Sequence, residues 1–394
     1  MNGLEGVKRY LKDCHGCGMC FGPGFHTPLR EGDVVPEGGT PTPRCPSYAK
    51  FKFLSFSARG RLWLAAAVYY RSFPLSSDLA KVAFTCTTCG LCDQLCFLAK
   101  VPVFRSLREE IAEHGLKQAG VRTVDENIRR FNNPFGMEVG QRTDWARNLA
   151  FSESSDILYF AGCYASYAHP EVARATVNIL NAAGLDVAYL AEKEVCCGNH
   201  LLWSGDVKGA KARGAALLRT IEKSGSRIVV FSCPHCLRTF KIDYEEMFGA
   251  LPFKTKHISE VVANMISEGK LDLKTGSIRK ATYHDPCTLG RHLGVYEEPR
   301  EIIKGIPNLE FVEMGRRRQW SWCCGSGGSV VLHAFPDFAR WVARDRLGEA
   351  KGVADILVTS CAQCKAHLQD VAKRERIDIR IQDLPEIIAD AVEV

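Results

Sequence analysis

Chemistry in this sequence lies with its cysteines, 18 in 394 residues. Ten of them form two sets of one pattern, a single Cys, an adjacent pair and a Cys-x-x-Cys. The first set is Cys163, Cys196, Cys197, Cys233 and Cys236; the second is Cys287, Cys323, Cys324, Cys361 and Cys364. The intervening stretches are 32 and 35 residues in the first set and 35 and 36 in the second. Thiolates this close repel and oxidise unless a cation holds them, so the clustering points to metal rather than to disulfides.

The other eight fall in two triplets, each with a fourth thiol within reach. Cys14, Cys17 and Cys20 form one; Cys86, Cys89 and Cys92 form the other, with Cys96 close behind and Cys45 standing alone. Three thiolates at every third position wrap three corners of an iron–sulfur cubane, and a fourth must come from elsewhere. Zinc is the alternative, but zinc ribbons use pairs, and triplets favour iron. In two-cluster ferredoxins the fourth ligand is exchanged between motifs. That crossing assigns Cys14, Cys17, Cys20 and Cys96 to one cluster and Cys86, Cys89, Cys92 and Cys45 to the other. Cys96 is followed by Phe97 rather than the usual Pro.

The elements that must position these thiols repeat as well. Ile157-Leu158-Tyr159-Phe160 runs into Cys163 as Ala281-Thr282-Tyr283-His284 runs into Cys287, and apolar runs at 227–232 and 355–360 deliver the two Cys-x-x-Cys turns. Such self-similarity reads as a duplicated module. In the first copy the periodicity predicts strands at 156–161, 186–190 and 227–232, and helices at 170–183, 207–223 and from about Cys236. That alternation implies a parallel sheet covered by helices, with the thiols on loops at one side. Before the repeats, the pattern is helical: Ser57 to Arg71, an apolar face of Phe104, Leu107, Ile111 and Leu116, and a helix from Asp125 to Phe131. The expected division is an α-helical two-cluster ferredoxin-like domain at 1–132 with an insertion at 21–85, a linker at 133–155, and two α/β repeats at 156–276 and 277–394.

Composition sets the outer limits. At 46% hydrophobic content the chain has ordinary globular cores. Its longest N-terminal apolar run, 62–70, is far short of the roughly 20 residues a membrane-spanning helix needs, and Met1 to Cys14 is too polar for a signal peptide. A cytoplasmic protein is expected, peripheral to a membrane only through a partner. The net charge of +6 comes entirely from residues 1–150, with 20 Lys/Arg against 14 Asp/Glu. Residues 38–77 contain no carboxylate but hold Arg44, Lys50, Lys52, Arg59, Arg61 and Arg71. This stretch reads either as an offset to cluster charge or as a surface for a negative partner. Basic residues do not alternate with aromatics in a nucleic-acid module, and no Gly-rich phosphate loop follows a strand, so neither nucleic acid nor nucleotide is expected.

With Cys196-Cys197-Gly198-Asn199, Cys323-Cys324-Gly325-Ser326-Gly327-Gly328, His284-Asp285-Pro286-Cys287 and Gly294-Val295-Tyr296 behind a two-cluster region, the chain resembles the fused catalytic subunit of heterodisulfide reductase. It is similar to the wider family of cysteine-rich (CCG) domain iron–sulfur proteins. The resemblance implies a non-cubane four-iron cluster on each five-Cys set, two cubanes in the N-terminal region, and a small-molecule disulfide, such as a coenzyme M–coenzyme B type heterodisulfide, reduced between the two non-cubane clusters. It also implies an electron donor, a membrane cytochrome b or a soluble flavoprotein.

Two functions compete. One is an enzyme reducing a disulfide, for which a duplicated one-electron centre suits a substrate with two equivalent atoms. The other is an electron relay serving a flavin-linked hydroxy-acid or glycerol-phosphate dehydrogenase or an acyl-thioester reductase. His200 and His235 are candidate proton donors or ordinary buried residues. Trp203, Trp320 and Trp322 either wall the site or simply pack. Arg316-Arg317-Arg318 reads as a clamp for an anionic thiol or as a solvated turn.

Overall fold

Two four-stranded parallel sheets carry the repeats. The first holds β1 (Ile157–Phe160), β2 (Ala188–Tyr189), β3 (Ile228–Phe231) and β4 (Lys254–His257) in the order β2-β1-β3-β4. The second holds β5 (Arg279–His284), β6 (Leu309–Phe311), β7 (Ile356–Thr359) and β8 (Arg380–Asp383) in the order β6-β5-β7-β8. The structure is a computed structural model and describes residues 3–17, 20, 45–274 and 279–392; Gly22-Pro23-Gly24, the Gly/Pro stretch 38–43 and Arg44 lie outside the described residues. Central strands β3 and β7 are nearly all apolar and almost wholly buried, as strands covered on both faces must be. In both sheets the chain turns one way after the first strand and the other way after the third, so a crevice opens between their C-terminal ends. Cys163 and Cys233 leave the two sides of that crevice in the first copy, and Cys287 and Cys361 do so in the second.

The copies are not beads on a string. The helix that follows the first Cys, Pro170–Ala182, packs on the last helix of the other copy, Leu384–Ala389, and Ile258–Ser267 packs on Glu297–Gly305. One apolar core therefore runs through both, from Val172 and Val177 to Ile302, Ile356 and Leu384. Proline at the first turn starts several of these helices, including Pro170–Ala182 and Pro336–Lys351. Where the chain turns after Cys163 and Cys287 the backbone forms one π-helical turn, Tyr164–Ala168 and Thr288–His292, a wide form common at functional sites.

The N-terminal region is helical: Pro46–Phe51, Ala58–Tyr69, Ser77–Phe84, Lys100–Glu113 and Ala119–Phe131. Ser57 and Ser76 cap two of these through Gly60 N–H and Leu79 N–H. Leu116 lies beyond its expected helix, though partly buried against the same core. Residues 133–155, read from sequence as a linker, contain a 3₁₀ turn, Val139–Ala146, whose Arg142 and Trp145 are buried in the first copy's core.

Candidate metal centres at the module junctions

All 18 thiols are free, and the ten repeat cysteines lie within buried apolar clusters, each beside another repeat thiol. In the first copy thiol contacts run Cys163–Cys196–Cys197–Cys236–Cys233; in the second they run Cys287–Cys323–Cys324–Cys364–Cys361. The Cys364 and Cys324 sulfurs are 3.3 Å apart. Gly198 and Gly325, at φ 78° and 97°, turn the chain in the left-handed region after each pair, and their N–H groups point at Cys196 and Cys323 Sγ at 3.4 and 3.3 Å. Contact with Cys196 and Cys236 pulls the Cys197 thiol down to about 6. Burial pushes Cys361 well up.

The two sets meet. Cys233 of the first copy contacts Cys361 of the second, and His235, on the Cys-x-x-Cys turn, places Nδ1 3.8 Å from Cys361 Sγ and Nε2 3.2 Å from Thr288 Oγ1. Cys233, His235 and Cys361 hold their ligating atoms within 4.8 Å of one another, as do His284, Cys324 and Cys364. On its far side the second set touches the N-terminal module through Cys323 and Cys89.

In that module Cys45, Cys86, Cys89 and Cys92 line one small cavity, with Arg61 and Gly90 in its wall. Cys96 is not part of that lining; Lys100 Nζ reaches it instead. Cys20 is buried beside Cys14 and Cys45, and burial raises its thiol to about 11. Cys17 is exposed. The Gly16 turn between Cys14 and Cys17 packs under Trp63, whose ring leaves no room for a Cβ.

Buried cations, which the cysteine pattern does not announce, hold these loops. Arg61 donates to the Val82 and Phe56 carbonyls and to Ser47 and Thr85 hydroxyls. Arg108 bridges the Cys86 and Trp203 carbonyls, tying the second triplet to the first repeat; burial lowers it to about 10. Arg291 donates to the Cys89, Gln319 and Ser321 carbonyls. Arg142 joins Glu194 at 2.8 Å and Cys163 Sγ at 3.4 Å, while Glu194 accepts from Ala161 and Gly162 N–H. Arg108, four residues after Phe104 and three before Ile111, interrupts the apolar face of its helix, whereas Arg105 gives no such signal.

Other expected residues divide. His200 is buried against Ser329 Oγ of the second copy at 2.5 Å and 3.5 Å from Asp125, with burial holding it neutral, so it clamps modules together. Trp322 is buried under the Arg316 guanidinium, and Trp203 lies between His235 and His292. Trp320 is only partly buried, against the cluster that contains Cys323. The arginine clamp fails: Arg316 pairs with Asp345 and Glu349, Arg318 with Glu297 and Glu313, and Arg317 donates to the Met314 carbonyl. The Arg316 and Arg318 guanidiniums are engaged by carboxylates that the fold returns from other elements.

Buried, unpaired soft donors in mutual contact, at the crevices of two sheets and in a chamber beside them, fit iron–sulfur clusters. A doubled cysteine-rich fold with two further cysteine triplets defines an iron–sulfur oxidoreductase. The cysteine-rich domain family matches residues 157–241 and 281–369, and the 4Fe-4S dicluster domain family matches 8–98. One component of the dihydromethanophenazine:CoB–CoM heterodisulfide reductase of Methanosarcina mazei, its D polypeptide, is 34% identical over 78% of this chain and 77% of its own length. The EtfAB:quinone oxidoreductase of Syntrophomonas wolfei is 25% identical over 80% of this chain and 47% of its own. The B polypeptide of the fumarate reductase (CoM/CoB) of Methanothermobacter marburgensis is 30% identical over 77% and 60% respectively. The chain belongs to the heterodisulfide reductase family, among the relatives of that D polypeptide. Among the described residues no helix is long and apolar enough to cross a membrane.

Proposed function

We propose that the chain reduces a small-molecule disulfide at the seam between its two cysteine-rich copies. Cys163, Cys196, Cys197, Cys233 and Cys236 hold one non-cubane cluster; Cys287, Cys323, Cys324, Cys361 and Cys364 hold the other. Two cubanes, on Cys14, Cys17, Cys20 and Cys96 and on Cys86, Cys89, Cys92 and Cys45, feed them. The observation that carries this reading is the contact of Cys233 with Cys361 across the seam, beside His235. When bound, the clusters supply electrons one at a time. The chain's own residues do the rest: the apolar clusters exclude water, Thr288 and Cys361 orient His235, and His235 is the imidazole beside the Cys233–Cys361 contact. A disulfide takes two electrons to become two thiolates, and His235 can protonate one of them.

Electrons enter from a donor protein on the N-terminal module, a membrane cytochrome b or a soluble flavoprotein. Phe53, Leu54, Trp63, Tyr70, Phe73 and Phe97 are exposed there, Lys52 and Arg71 lie among them, and residues 45–77 contain no carboxylate. An apolar patch of this kind marks an interaction surface. The test is one anaerobic preparation. About 16 iron atoms per chain are expected, four for each ligand set, together with a donor that Trp63→Ser releases. Adding a substrate thiol under oxidising conditions should produce a new paramagnetic signal that broadens with iron-57. Stoichiometric zinc sinks the cluster reading; full iron with no thiol-dependent signal hands the chain to the relay reading.

A further inference from the structure

Lys100 opens the helix Lys100–Glu113, and it is 1% exposed. Its Nζ donates to the Leu98 carbonyl at 3.0 Å and reaches the Cys96 thiol. It also faces Cys92 of the second triplet and Cys20 of the first. A buried ammonium thus stands between the two cubane ligand sets. The carboxylate beside it, Asp93, is engaged by backbone: it accepts from Lys100 N–H at 2.8 Å and Val101 N–H at 3.3 Å, where the helix begins. The buried guanidiniums nearby serve one set only. Arg61 faces Cys45 and Arg108 faces Cys86, both of the second set.

Taking an ammonium out of water is costly unless anions compensate it, and a carbonyl is not an anion. Although burial works to lower Lys100, its bond to Cys96 and the charges of Cys92 and Cys96 carry it above its ordinary value, so it stays charged. Ligand thiolates are therefore its counter-ions. Each electron that enters a cluster adds negative charge beside this cation, and a nearby positive charge favours that addition. Burial leaves the effect poorly screened. In the sequence Lys100 is a lysine four residues beyond Cys96 with nothing to mark it; the turn Leu91–Leu95 and the helix start bring it back over the thiols.

We infer that Lys100 tunes both cubanes at once, raising the reduction potential of each. The inference rests on the cluster assignment proposed above, and the test separates the two. Anaerobic holoprotein is titrated with dithionite in the presence of redox mediators, the two cubane signals are followed by electron paramagnetic resonance, and iron is counted in every sample. Lys100→Gln removes the charge but keeps a donor for the Leu98 carbonyl. It should make reduction of both cubanes about tenfold less favourable, a fall of about 59 mV for a one-electron couple. Lys100→Arg keeps the charge and should leave both within about threefold of the parent. Full iron with unmoved potentials in Lys100→Gln overturns the inference, as does a shift in one cubane alone or an equal shift in Lys100→Arg. If Lys100→Gln holds less than full iron, the charge-balanced Lys100→Gln/Asp93→Asn is read instead. Both potentials should still fall, the second set's by less, because Asp93 lies 3.7 Å from Cys92 Sγ and its loss offsets part of the change; no fall in either overturns the inference. A parent without two cubane signals sinks the cluster reading and the inference with it, whereas two signals indifferent to Lys100 sink the inference alone.

Discussion

The two cysteine-rich copies share strand order, π-helical turns and thiol pattern, yet their surroundings assign them different positions in one chain of events. The second copy is the inner neighbour of the N-terminal module: Cys323 touches Cys89, and Arg291 closes the joint. The first copy supplies the seam's imidazole. His235 on its Cys-x-x-Cys turn reaches Cys361, whereas the matching Gln363 of the second copy donates to Tyr164 Oη at 3.4 Å. The loops are also fastened differently. The loop after the first copy's leading strand is held by a fully buried pair, Arg142 with Glu194; its counterpart in the second copy spreads the load over Arg300, Asp285, Glu313 and the Arg318 N–H, partly in water. Duplication fixes where thiols sit, and the side chains beside them decide what each copy does.

That difference is open to attack, most strongly at the fastenings. Arg142→Met leaves Glu194 charged and buried, and should cost about 3–5 kcal/mol, the range for breaking a buried pair from one side. Arg300→Met should cost less, about 2–3 kcal/mol, because Glu313 reaches solvent and Asp285 keeps a backbone donor. Urea unfolding of the holoprotein compares them; equal losses would mean that the copies are fastened alike. Burial raises the Glu194 carboxyl, so Arg142→Met/Glu194→Gln should recover part of the loss.

Next is the seam. His235→Gln should lower disulfide turnover about 100-fold and flatten its pH profile, a usual toll for losing a positioned acid. Gln363→His, the mirror change, should alter turnover less than about threefold by the same principle. Steady-state rates with a reduced dye decide it, and comparable losses from both would make the seam symmetric.

The smallest effect lies where the copies embrace. Lys365 of the second copy, 2% exposed, holds Glu171 of the first at 2.5 Å and Glu386 of its own at 2.7 Å. Although burial acts to raise Glu171, hydrogen bonds from His169 and Lys365 hold it down at about 2, against an ordinary 4.5. A depressed carboxyl stabilises fully above pH 4.5 and loses that contribution as pH falls toward about 2. Because Glu171 is half exposed, the gain is about 1 kcal/mol. Glu171→Gln should therefore be destabilised at pH 7, with the gap narrowing below pH 4.5 and closing only as the pH falls to about 2 in parallel unfolding curves. A gap independent of pH would remove the charge from the account.

How far residues alone lead can be traced element by element. The central strands were legible because β1, β3 and β7 are apolar runs that end on cysteine. The edge strands β4, Lys-Thr-Lys-His, and β8, Arg-Ile-Gln-Asp, were not: β4 is polar because most of it meets water, and β8 is mostly buried but carries Gln382 and Asp383 where an apolar run would announce a strand. The helix expected from Asp125 begins at Ala119, where no side chain caps it and no signal marks the start. All 18 thiols stand out by spacing. Their supports do not: Arg142 and Glu194 are 52 residues apart, and Arg105 and Asp243 are 138. Such pairs are products of the fold, as are the carboxylates that occupy Arg316 and Arg318.

The joint between the second triplet and the second copy also sets a timetable for making the protein. Arg291 and His292, which close over the Cys89 and Thr88 carbonyls, lie 202 and 204 residues downstream of them. At ordinary elongation rates of about 5–20 residues per second, the ribosome needs about 10–40 s to deliver those residues after Cys89 has been synthesised. Through that interval the thiols of residues 86–92 wait on a nascent chain without their cover, so the exposure of this protein to oxidants is greatest while it is being born.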